Sequence, residues 1–273
     1  MQFLDASRLA GPARGWLQSR ELIVALTRRE VIGRYRGSVM GVMWSFLHPL
    51  LMLAVYTFVF SVVFKSRWPG GSGNRVEFAL MLFTGLVVFS VFSECINRAP
   101  NLVLGNVNYV KKVVFPLEVL PIVSMLSALF HAAVSLSVWY VFHLLYFGLP
   151  PVTGLLLPLV LLPLILFTLG VSWFLASLGV YVRDVAQVVG IVTTVLLFLS
   201  PVFYSVGVLP THLQTLMHLN PLTDVIEQAR AVLVAGAGLD VQRWLVSVAI
   251  GLLVAWAGLA WFRATRRGFA DVL

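Results

Sequence analysis

Charge is the scarcest thing in this sequence: 11% of its 273 residues are Asp, Glu, Lys or Arg, against a hydrophobic share of 60%. A soluble chain carries about 25% charged residues, so a water-exposed globular surface is excluded. The mean hydropathy of +0.95 makes the bilayer the solvent. Cysteine is reduced to Cys95, which removes any intramolecular disulfide or cysteine-based metal framework. Lysine is limited to Lys65, Lys111 and Lys112, and none has the glycine frame that cradles a phosphate. The sequence therefore predicts no nucleotide site in this chain, and any energy it uses must come from another chain. No paired His or carboxylate stands at metal-ligand spacing, and Asp184 is the only aspartate between Asp5 and Asp224. A signal peptide is not legible either, because the first 36 residues hold seven arginines and no apolar core leading to a cleavage site.

What the chain has instead is long apolar runs. The stretch 119–182 holds sixty-four residues without one charged side chain. As a single helix it would be about 96 Å long, so it must turn back. The break is Gly148-Leu149-Pro150-Pro151, where two prolines end one helix and start another. The expected fold is all-α and integral to the membrane, with six transmembrane helices at about 41–64, 78–96, 116–147, 154–182, 185–203 and 244–262. The whole chain, 1–273, reads as one transmembrane domain.

The surplus of eight positive charges orients those spans. With both termini cytoplasmic, fourteen of the nineteen Lys and Arg fall inside and five outside. That is the bias positive-inside loops require, and it removes nucleic acid as the explanation of the charge. The N-terminal stretch 17–36, rich in arginine, reads as an interfacial helix on an anionic inner leaflet. Between the fifth and sixth spans, 204–240 is too long for a simple loop. Thr211 and Gln214 read as a capping box, and Asn220-Pro221 as an N-cap with proline in the first turn. Leu222, Val225, Ile226, Ala229, Val232 and Leu233 share one face of the second short helix, which Gly236 stops. Two short external helices that dip into or lie on the membrane are the expectation. His131 and His143, twelve residues apart on the third span, cannot share an ion and read as internally satisfied. Glu94, Arg98 and Glu118 lie at the membrane boundary, which gives ion-coupled transport little support.

Four motifs, in order, resemble a known family. Arg34-Tyr35-Arg36-Gly37-Ser38 through Gly41 and Trp44 to His48-Pro49 is the first, although His48 and Met40 stand where glutamine and leucine are expected. Val110-Lys111-Lys112 to Phe115-Pro116-Leu117-Glu118 is the second, and Tyr181-Val182-Arg183-Asp184 the third. Ser200-Pro201-Val202-Phe203-Tyr204, Leu209-Pro210 and Asn220-Pro221 complete the set. Together they are similar to type-2 ATP-binding-cassette exporter permeases that move bacterial surface polysaccharides. The resemblance implies a homodimer in the inner membrane, two copies of a separate ATPase, and a lipid-linked glycan as cargo, with O-antigen first. It also implies an external gate region around Pro201, Pro210, Asn220 and Pro221. ATPase coupling falls to Arg34, Arg36, Arg98, Lys111, Lys112, Phe115 and Glu118, on the longest cytoplasmic loop and the segment before the first span.

Sugar passage calls for faces that bind weakly and repeatedly, which aromatic rings provide. Tyr56, Phe60 and Phe64 recur every four residues on the first span, and Phe203 and Tyr204 follow the break of the fifth. These five are the expected path residues. Two alternatives stand beside this reading: a type-2 permease for a drug or lipid, and a membrane enzyme acting on polyprenyl-linked sugars. The scarcity of carboxylates speaks against the second.

Overall fold

The computed structural model describes residues 20–63, 68, 74–110 and 115–273. All regular structure among the described residues is helical. Helix α1 is Arg20–Tyr35 and α2 is Trp44–Tyr56, extended by the wider turns of Thr57–Val63. Then come α3 (Arg75–Arg98), α4 (Val119–Phe147), α5 (Leu157–Tyr181) and α6 (Val185–Leu199). Two short helices, α7 (Thr211–Met217) and α8 (Pro221–Leu233), precede α9 (Val241–Thr265). Four stretches are long and apolar enough to cross a membrane: Arg75–Asn101, Val119–Phe147, Val152–Tyr181 and Val241–Val272. The other two, Trp44–Phe60 and Val185–Leu199, are shorter.

The helix ends follow local chemistry. Asn74 caps α3 by accepting from the Val76 amide at 2.9 Å, so that helix starts three residues before the apolar run that announced it. α6 stops at Leu199 because Ser200 turns extended and Pro201 has no amide to offer, leaving the turn 200–204 outside the helix expected to reach 203. Asn220 caps α8, accepting from Leu222 N at 3.0 Å with Pro221 in the first turn, and Gly236 lies beyond its end at φ +65°. The capping box at Thr211 does not form. Thr211 is already inside α7, and Gln214 reaches back to the Leu209 carbonyl at 2.7 Å, because Pro210 occupies the cap position.

α3 is the central post, with one continuous core linking it to α4, α5 and α8. Trp139, fully buried on α4, ties the two helices by donating to Leu80 O at 3.2 Å. α5 and α9 touch backbone to backbone: a Cβ on Gly258 would stand 2.0 Å from the Gly170 carbonyl oxygen. Such small-residue contact is how helices associate where lipid offers no hydrophobic contrast. α8 is the largest departure from expectation. It does not lie on a surface, since Leu222, Val225, Ile226, Ala229, Val232 and Leu233 are buried in the core, and Thr223 on the opposite face is buried as well.

Candidate functional site

A cleft of about 540 Å³ opens between α1, α2, α3 and α4. Its walls change character along its length. At one end stand Arg34, Tyr35, His48, Glu94 and His131; at the other, Tyr56 and Phe83. The polar end is organised by alternating charge. Glu94 on α3 pairs with Arg34 at the end of α1, and lies 3.7 Å from Arg98, whose other nitrogen pairs with Glu30 at 2.6 Å. The two arginine side chains keep about a third of their surface (38% and 35%), so the cluster sits at the edge of solvent. Tyr35 adds a 3.2 Å contact from its hydroxyl to His131 Nδ1, and burial pushes its phenol up, which keeps it protonated. His143, the second histidine of α4, is internally satisfied: Nδ1 meets Gly148 O at 3.2 Å and the ring stacks on Trp139.

Beyond the Tyr56 end the rings of three elements gather. Phe203 stacks on Phe60 with centroids 5.5 Å apart and lies 6.2 Å from Tyr56 and 5.7 Å from Phe198. Phe78 joins through Phe60 at 6.1 Å. The structure thus brings together four of the five expected path residues: Tyr56, Phe60 and Phe203 directly, and Tyr204 by the hydroxyl it donates to Phe198 O at 3.3 Å. Phe64 lies outside the described residues. Asn220 reaches the same region, its amide nitrogen donating to Ser200 Oγ at 2.9 Å beside Pro201, while Pro210 precedes α7.

The expected coupling residues divide into two groups. Arg34 and Arg98 belong to the Glu94 cluster. Phe115 and Glu118 stand nearer the start of α1, where α1 packs by Leu26 against Val119 and Val123. There Phe115 stacks on Tyr109 at 4.2 Å, and the mostly buried Glu118 carboxylate takes both of its oxygens to Arg266 Nη1 at 3.0 and 3.1 Å. The Trp173 indole donates to the Glu118 carbonyl at 2.9 Å. Glu118 therefore tethers the start of α4 to the end of α9 and to α5. Arg36 is exposed just after α1. Lys111 and Lys112 lie outside the described residues.

Arg230 was legible only as an external charge, yet it is the most deeply buried cation among the described residues, at 3% exposure. The signal was its position, one turn after Ile226 on the apolar stripe of α8. Its guanidinium donates to Met81 O at 3.0 Å, Pro201 O at 2.6 Å and Val202 O at 2.7 Å, and meets Glu227 at 3.0 Å. Trp68 covers it, 4.3 Å from ring centroid to guanidinium carbon. Burial pulls its pKa down to about 10, with Glu227 opposing, so it stays charged at neutral pH.

A sequence model of the family described as ABC-2 type transporter matches residues 21–234. The chain is 28% identical over 256 residues to the O-antigen export system permease protein RfbA of Myxococcus xanthus, covering 93% of this chain and 96% of that one. An RfbA of Klebsiella pneumoniae is 26% identical over 93% of this chain and 95% of its own length. The polysialic acid transport protein KpsM of Escherichia coli is 24% identical, over 81% and 84%.

Proposed function

The chain belongs to the ABC-2 type transporter family, and we propose that it is the membrane-spanning subunit of an ATP-driven exporter moving a lipid-linked polysaccharide, O-antigen, across the inner membrane. Relatives named as O-antigen and polysialic acid transport proteins support the cargo class. The observation that carries the mechanism is the cleft, polar at Glu94 and aromatic at Tyr56, in a chain with so little charge elsewhere. A glycan needs a hydrated, hydrogen-bonding entrance and then faces it can slide over, because stacking on the apolar side of a sugar holds without locking. Six spans with both termini cytoplasmic put the Glu94 end inside and the Phe203 rings outside, by the bias in basic residues.

Two copies complete the path in this reading. α6 turns Val188, Ile191, Val195 and Phe198 outward, an apolar face beside the cleft that a second copy would cover. The chain binds no nucleotide; a separate ATPase, two copies with ATP and Mg, docks below. Its contact is the loop 97–115 with Lys111, Lys112 and Phe115, helped by the segment 28–36 and by Arg36 at its end. Arg98 carries movement of that loop to Glu94 and Arg34, at the mouth of the cleft. Tyr56→Ala and Phe60→Ala should each lower surface glycan by about tenfold at unchanged protein level, the loss of one stacking face. Wild-type export in both variants would sink the path assignment.

A further inference from the structure

The outer rings depend on a piece of chain that has no helix to hold it. Pro201 ends α6, and the carbonyls of Pro201, Val202 and Tyr204 find no backbone amide one turn on. An unsatisfied carbonyl in hydrocarbon is costly, so something must bind them. One side chain does. Arg230 takes Pro201 O, Val202 O and, at 3.4 Å, Tyr204 O, while Nε holds Met81 O on α3. Phe203 is thus bracketed by two residues whose carbonyls converge on one rigid, planar group.

We propose that Arg230 is the positioning residue of the aromatic cluster: it fixes the broken end of α6, and so decides where Phe203 and Tyr204 stand against Tyr56 and Phe60. The importance of those rings rests on their assignment to the glycan path; the positioning itself does not. Three features fit the role. The planar fork of arginine reaches several carbonyls at once, whereas a lysine ammonium radiates from one atom. The space for it is made by Gly85 on α3, where a Cβ would lie 2.8 Å from Arg230 Nη2 and 3.3 Å from Val202 Cα. Trp68, which also meets Phe78 at 5.9 Å, closes the open face and links the grip to the same rings.

The test reads how close positions 60 and 203 stand. In a Cys95→Ala background, Phe60→Cys and Phe203→Cys are bridged with dibromobimane, which fluoresces on linking two thiols. The yield is taken on detergent-extracted transporter copurified with its ATPase, so only assembled copies are counted. Arg230→Lys keeps the charge and loses the fork; Gly85→Ala keeps the arginine and pushes it. Both should lower bridging by about fivefold, the population change that one lost hydrogen bond produces. Glu227→Gln spares the carbonyl contacts and should bridge like its parent. Unchanged bridging in both Arg230→Lys and Gly85→Ala overturns the proposal, and so does a fall in Glu227→Gln equal to theirs, which would assign the turn to the ion pair. Wild-type export by Tyr56→Ala and Phe60→Ala, with bridging still dependent on Arg230, would remove the glycan path and leave the positioning role standing.

Discussion

The charged cluster around Glu94 and the one around Arg230 are built on opposite plans. Around Glu94, two acids and two arginines alternate, each at the edge of solvent. Around Arg230, a single buried cation is met mostly by neutral carbonyls, with Glu227 at the margin. Exposed pairs exchange partners at little cost, whereas a buried charge with fixed acceptors has nowhere else to go. The first plan suits a part that moves with an ATPase, and the second suits a fixed bearing.

The contrast can be broken at its strongest point first. Arg230→Met should cost about 3–5 kcal/mol, since it strands carbonyls in an apolar surround. Melting of the purified transporter should show it, and a shift no larger than that of an exposed-arginine variant would erase the distinction. Next, Glu118→Gln removes the anchor of Arg266 and weakens that of Arg263, 3.7 Å away, with an expected loss of about 1–3 kcal/mol. Limited proteolysis at the end of α9 should quicken, because that helix end is held to α4 through this carboxylate. Smallest in stability is Arg34→Gln. It should change unfolding by about 0.2–1 kcal/mol, and that difference should shrink in about 1 M salt. Export should nevertheless fall by about tenfold if the cluster transmits motion, because a pair worth little to the fold can still set the balance between two states. Equal loss of stability at Arg34 and Arg230 would place both clusters in one class.

Much of this was written along the chain. Asn74, Asn220-Pro221, Gly236 and the prolines 150 and 151 mark helix ends through chemistry that acts within a few residues. Tyr56 and Phe60 could be picked out because one turn of helix sets their spacing. The partners of Glu94 could not, since Arg34 comes from α1, 60 residues away in sequence, and Arg98 from the next turn of α3. Arg230 was hidden for a different reason. Charge counting assigns an arginine to water, and only the convergence of Met81, Pro201 and Val202 on one point makes burial tolerable.

Composition and periodicity by themselves determined that the solvent is a bilayer, that the elements are helices, and where most of them start and stop, because these depend on local transfer energies and backbone geometry. That α8 is enclosed in the core instead of lying on a surface, the company kept by each charge, and the meeting of Phe203 with Phe60 were decided by tertiary structure. They depend on which distant carbonyls and rings are brought within a few ångströms, and no period of 3.6 residues encodes that.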